Sequence, residues 1–262
     1  MKACKRVFVL LLVLLCIADG AFAAKKEQKN TAREITRDVV QDIPETIQQV
    51  LDLANEEWLA TEGKNLKDKN KFTEWRGKGY KFSWCGGYVT WCMLQLDVPQ
   101  EEKNKTKRQE VEGIVHVKEA GVGKLFDGYE RMNRLTRIPQ KGFVVVYGTS
   151  KKFGKSAPTP YYHVGLVYDV EKLSENKYRL TTLEGAVTIP KKNGLTIRKY
   201  VRDYTIPETT KDKEKDLTLV PEEERTEEET DLFTYHYSYD NKYEYVTIFL
   251  MPWIPEENSA DS

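Results

Sequence analysis

Cys85, His163 and Glu184 are the residues whose types and surroundings could do covalent chemistry. A cysteine becomes a nucleophile when its thiol is held as thiolate, a base stands within hydrogen-bonding reach, and a third group orients that base. Cys85 follows Ser83-Trp84 and opens an apolar pattern with helical spacing. That puts it at a helix N-terminus, where orphan N–H groups and the positive end of the macrodipole favour a thiolate. His163 sits in Tyr161-Tyr162-His163-Val164-Gly165-Leu166-Val167, a run of β character that would hold an imidazole on one face of a sheet. Glu184 follows in Leu183-Glu184-Gly185, at the end of the next such run, and pairing of the two strands would let its carboxylate accept an imidazole N–H and select the tautomer. Taken singly, a strand histidine or a terminal glutamate is commonly structural. Cys92 lies two helical turns beyond Cys85, outside the field of the helix end, and reads as core filling. At about 10 Å along a helix the two thiols exceed disulfide reach, so both are expected to stay unbridged.

The elements that must hold these groups are visible in the spacing. Pro44 suits a first helical turn, and Ile47, Val50, Leu51, Ala54 and Trp58 recur on one face of a helix that Gly63 ends. Ser83 is a suitable cap for a second helix, buried through Cys85, Tyr88, Val89, Cys92, Met93 and Leu96, with Asp97 and Pro99 stopping it. The charged stretch from Glu101 to Glu112 reads as a solvated loop or a polar helix. From Phe143 onward the chain turns to β-rich runs: Phe143 to Tyr147, Tyr162 to Val170, Tyr178 to Leu183, Leu195 to Tyr200, and Tyr243 to Leu250. Helices first and strands afterwards predict an α+β fold, an antiparallel sheet packed against the early helices.

The chain has 262 residues with 41 basic and 41 acidic side chains, a balance that gives no support to nucleic-acid binding. Lys2, Lys5 and Arg6 precede an apolar run from Val7 to Ala18, and Ala21-Phe22-Ala23 supplies small residues for cleavage, so residues 1–23 read as a secretory signal and the protein as secreted or periplasmic. No other segment approaches the roughly 20 apolar residues of a membrane-spanning helix, so stable membrane insertion is not expected. Removing Lys2, Lys5, Arg6 and Asp19 with the signal leaves 38 basic against 40 acidic residues. Residues 24–42 are polar and read as a flexible lead-in, 43–254 as the catalytic domain, and 255–262 as a tail. Between Pro207 and Asp231 stand eleven acidic and four basic residues, a composition expected of an exposed insertion.

Together the three local contexts resemble the CHAP family of cysteine amidohydrolases and peptidases, a branch of the papain-like NlpC/P60 superfamily, over roughly Ala54 to Pro252. The likeness is strongest in Phe82-Ser83-Trp84-Cys85-Gly86-Gly87-Tyr88-Val89-Thr90-Trp91-Cys92, similar to the family's Trp-Cys followed by an aromatic-Val pair and a second Trp. Trp75, Pro139-Gln140-Lys141-Gly142, His163-Val164-Gly165 and Glu184-Gly185 follow in the family's order. The resemblance implies a papain-like (NlpC/P60-type) fold, with Cys85 as nucleophile, His163 as general base and acid, and Glu184 as orienting carboxylate. Many members attack peptidoglycan amides, so it further implies an N-acetylmuramoyl-L-alanine amidase or endopeptidase with a peptidoglycan peptide as substrate and neither metal nor cofactor; a monomer is expected. Two positions depart from the pattern: Phe143, where the family often has Asp, and Ala186, where it often has Asn.

Trp84, Tyr161 and Tyr162 either line a substrate cleft or pack in the core. His116 reads as structural or exposed, and His236 as part of a strand near the insertion. Two other functions fit the same residues: a noncatalytic peptide- or glycan-binding protein on the CHAP scaffold, to which Ala186 lends support, and an amidase acting outside the cell wall.

Overall fold

The computed structural model describes residues 32–61, 64–67, 69–76, 84–95, 114–148, 162–189, 194–208, 215–225, 238, 243 and 245–255, with the backbone of 108–111. Residues 1–23, read as a signal, most of the expected tail, Gly63, Ser83, Tyr161 and His236 lie outside them.

Helix α1 (Glu45–Thr61) begins directly after Pro44 and buries Ile47, Val50, Leu51, Ala54 and Trp58, the predicted face. The short helix α2 (Lys71–Glu74) is closed by Asn70, whose side chain accepts from Phe72 N at 2.9 Å while Thr73 Oγ1 accepts from Asn70 N at 3.1 Å. Helix α3 (Cys85–Leu94) is buried almost all round, with only Trp91 partly exposed. At about 1.5–3 kcal/mol for each large apolar side chain removed from water, Tyr88, Val89 and Met93 alone strongly favour docking it. Its capping position is Trp84, not the Ser83 expected: the first helical bond runs from Tyr88 N to Trp84 O at 2.8 Å, and no side chain closes the end.

Within the stretch from Glu101 to Glu112, expected as a solvated loop or polar helix, lies instead a strand, β1 (Arg108–Val111), paired antiparallel with β2 (Ile114–Val117) just beyond it. Helix α4 (Val122–Arg131) follows. The main sheet comprises β3 (Leu135–Thr136), β4 (Val144–Gly148), β5 (His163–Ser174), β6 (Lys177–Thr188), β7 (Leu195–Thr205), β8 (Leu217–Thr218) and β9 (Tyr245–Leu250), in the order β3-β9-β4-β5-β6-β7-β8. Every neighbouring pair in it is antiparallel. The architecture is therefore α+β, as predicted, with α3 packed on β5 and β6. The five predicted strands are present, and β5 to β7 extend beyond the predicted ends.

Two segments read from composition as peripheral are held on the sheet. Within the expected lead-in, Arg33 N bonds Leu135 O at 2.6 Å, Val40 N bonds Gln140 Oε1 at 3.0 Å, and Tyr178 hydroxyl donates to Arg37 O at 2.8 Å. Within the expected insertion, β8 pairs with β7 and buries Leu217, while Arg179 bridges Asp203 and Glu224. Enough apolar and paired groups occur there to offset the charge. Among the described residues no helix is long and apolar enough to cross a membrane.

Candidate active site

Strand pairing gives the site its frame. In the β4–β5 ladder Tyr147 stands opposite His163, and Leu166 pairs with Leu183 between β5 and β6, one residue before Glu184. Gly165 lies against Glu184: a Cβ there would come 2.7 Å from Glu184 Cγ. The missing side chain is the space through which the carboxylate crosses to His163.

Glu184 Oε2 is 3.1 Å from His163 Nε2. An ionised carboxylate only accepts, so the proton sits on Nε2 and Nδ1 is left for Cys85, with which the imidazole is also hydrogen-bonded. The sequence-predicted nucleophile, base and orienting acid thus form one connected chain. Burial works against a charged imidazole, but Cys85 first and Glu184 second outweigh it and push the His163 pKa up to about 9. Burial likewise opposes ionisation of Glu184, and there the Arg202 guanidinium, followed by His163, holds the carboxyl well below its usual range. Cys85 is 1% exposed and His163 3%, so the pair operates out of bulk water.

The other oxygen of Glu184 is fully occupied. Oε1 accepts from Arg202 at 2.6 Å, from the Tyr147 hydroxyl at 2.8 Å and from Thr182 Oγ1 at 2.8 Å. Arg202 and Tyr147 were missed in the sequence. The signal was a charge, Arg202, at the same strand parity as Tyr200 and Tyr204, which puts it on their face of the sheet. That charge is buried. Around the imidazole, Tyr243 stacks at 4.8 Å between ring centroids and 19° between planes, and Tyr147 at 5.9 Å and 20°. Tyr243 was seen only as a strand residue.

Of the predicted substrate contacts, Tyr162 is 49% exposed and lies 5.8 Å from the Tyr243 ring, beside the site. Trp84 takes the other place expected for it, in the core. It is buried, stacks on Phe72 at 5.5 Å, and lies under Gly185, where an added Cβ would approach its ring to 2.9 Å. Its bulk is used to seat α3 on β6. Cys92 is buried, its thiol pKa driven well up by burial and by Glu57, as core filling requires. Neither Cys85 nor Cys92 is in a disulfide. His116 is structural: its Nε2 is 2.9 Å from Thr90 Oγ1 and its Nδ1 2.9 Å from the Tyr129 hydroxyl.

The two departures from the family pattern also have places. Phe143 is a core residue edge-on to Trp253 at 5.6 Å. Ala186 has φ of 58° in a bulge between Glu184 and Val187, where β6 breaks register with β7. Among the described residues no cluster of His, Cys, Asp and Glu could hold a metal ion.

No family model matches the chain, and comparison with curated proteins and with solved structures gave no significant match.

Proposed function

We propose that the protein is an exported cysteine hydrolase of papain-like, NlpC/P60-type architecture that cleaves amide bonds in peptidoglycan peptides, as an N-acetylmuramoyl-L-alanine amidase or an endopeptidase. The observation that carries this reading is the unbroken hydrogen-bonded series Cys85–His163–Glu184, with Cys85 at the head of α3. The substrate class rests on the motif resemblance and on the export signal read in residues 1–23.

In the proposed mechanism the Cys85 thiolate, paired with the His163 imidazolium, attacks the amide carbonyl carbon. Backbone N–H groups near Cys85, in the first turn of α3 ahead of the Tyr88 N to Trp84 O bond, are the proposed donors to the resulting oxyanion. His163 gives its Nδ1 proton to the amine as the C–N bond breaks. A water molecule, giving its proton to the same nitrogen, then attacks the thioester carbonyl, and the C–S bond breaks to restore the thiolate–imidazolium pair. Glu184 stays ionised throughout and keeps the Nε2 proton in place.

The test is mass spectrometry of purified muropeptides incubated with the wild type and with Cys85→Ala. New termini from the wild type alone identify the bond and support the reading; identical products at the same rate from both proteins remove Cys85 as nucleophile. The burial of Cys85 and His163 favours a second reading, a noncatalytic binding protein on the same scaffold. Thiol labelling separates the two. A hydrolase alkylates at Cys85 well ahead of Cys92, whereas a binding protein leaves both equally inert. Reactive Cys85 with intact muropeptides would point to an amide outside the wall.

A further inference from the structure

The Cys85–His163–Glu184 series does not end at its carboxylate. Behind Glu184 stands Arg202, only 2% exposed, its NH1 at 2.6 Å from Oε1 and 3.1 Å from the Tyr147 hydroxyl. The guanidinium is packed over Tyr200 at 4.1 Å and Tyr147 at 5.3 Å, so it has little freedom to follow a moving partner. Oε1 receives three donors from three strands, β4, β6 and β7, and Oε2 faces His163. A carboxylate held this way has one orientation and one charge state. Burying a guanidinium costs several kcal/mol unless it is paired and hydrogen-bonded, and here the partner is the carboxylate that faces His163.

We propose that Arg202 is a positioning residue of this site: its guanidinium fixes the orientation and the charge of Glu184, and through Glu184 it sets how much of the Cys85–His163 pair exists as thiolate and imidazolium. It supplies from β7 the polar support that the residue two positions after the glutamate lacks, since Ala186 has no group to offer. The proposal rests on the hydrolase reading for its consequence, but its readout needs no substrate.

The charged and titratable groups facing the pair come from every neighbouring strand. They include Tyr147 from β4, His163 from β5, Arg202, Tyr200 and the cross-strand neighbour Arg198 from β7, and Tyr243 beside β9, with Cys85 from α3. Arg198 lies over Tyr200 at 5.4 Å. Tyr147 and Tyr243 remain neutral, since burial and Glu184 drive both hydroxyl pKa values up. Arg202 bonds the carboxylate directly, and its removal takes the one charged donor of the three named above away from Oε1, leaving the carboxylate freer to take a proton.

The experiment measures the rate of Cys85 alkylation by iodoacetamide from pH 4 to 9, with peptide mapping to assign the adduct. The proteins are the wild type, Arg202→Met, Arg202→Lys, Glu184→Gln, and the double variant of Arg202→Met with Glu184→Gln. In Arg202→Met the acid limb moves up by about one pH unit and the rate near pH 6 drops about tenfold, the equivalent of one pKa unit. Arg202→Lys, which keeps the charge, recovers part of that loss. In the Glu184→Gln background Arg202→Met changes nothing further, because the carboxylate through which it acts is gone. A wild-type profile in Arg202→Met, or an equal extra loss on top of Glu184→Gln, overturns the proposal. If Arg202→Met does not fold, Arg202→Gln, which keeps polar contacts but not the charge, takes its place, and an unshifted profile there overturns the proposal instead. A wild-type Cys85 that does not alkylate defeats the hydrolase reading itself, an outcome distinct from a reactive Cys85 indifferent to Arg202.

Discussion

Each of the three site residues is followed closely by a glycine, and the contacts explain why. A Cβ at Gly86 would stand 2.3 Å from Ala120 O, one at Gly165 2.7 Å from Glu184 Cγ, and one at Gly185 2.7 Å from Tyr88 Cβ. The first and third let α3 approach its neighbours, and the second leaves a path between Glu184 and His163. Gly165→Ala therefore pushes on a carboxylate whose far oxygen is already fixed by Arg202, Tyr147 and Thr182. It cannot shift without losing one of those bonds or the one to His163. We expect the variant to fold and, on the proposed hydrolase reading, its hydrolytic rate to fall about a hundredfold, the scale of an ångström of misplacement in a catalytic group. A folded Gly165→Ala with the wild-type rate would show that Glu184 does not need that path. The Cys, His and Glu of the site were legible in the sequence because their flanking glycines and apolar runs mark a helix end and two strands. Arg202 was not, because a buried charge in a strand looks the same in sequence as a solvated one until its partner is known.

At the level of elements, alternation and helical spacing were enough to find α1, α3 and the five long strand runs, since each has an unbroken apolar face. They failed where the apolar content is carried by few residues. The β1 run, Arg108 to Val111, is mostly polar and is a strand only through its pairing with β2. Helix α4 buries Leu125, Phe126, Gly128 and Tyr129 in a sequence otherwise polar and glycine-containing. The bulge in β6 is a further feature that composition hides. Ala186 there occupies the left-handed region at φ 58°, which costs an L-residue with a Cβ about 1–2 kcal/mol. Asn tolerates that conformation through its short polar side chain, so Ala186→Asn should raise the unfolding free energy by about 0.5–1 kcal/mol. The measurement is the urea midpoint at constant slope. A midpoint equal to or below that of the wild type would mean the bulge holds no such strain.

Across the whole molecule, two buried histidines pull stability in opposite directions with pH. His116 joins α3 to β2 and α4 through Thr90 and Tyr129, and burial holds its pKa down at about 3. A group that binds its proton less readily when folded contributes stability that is complete above its unfolded pKa, about 6.5, and is lost as pH falls toward 3. Glu184, held below the usual carboxylate range, adds to the loss at the acid end. His163 has the reverse sign: its folded pKa of about 9 exceeds the unfolded value, so its contribution is complete below about 6.5 and disappears as pH rises through 9. Unfolding free energy should therefore peak near pH 6.5 and decline on both sides. The two limbs separate by mutation, because Cys85 is the largest influence raising His163 and has no contact with His116 among those that set its pKa. In Cys85→Ala the alkaline decline flattens while the acid decline stays. Urea titrations at half-unit intervals from pH 4 to 10 read both limbs, and an alkaline limb of unchanged slope in Cys85→Ala would mean that the imidazolium draws its stability from something other than the sulfur at the head of α3.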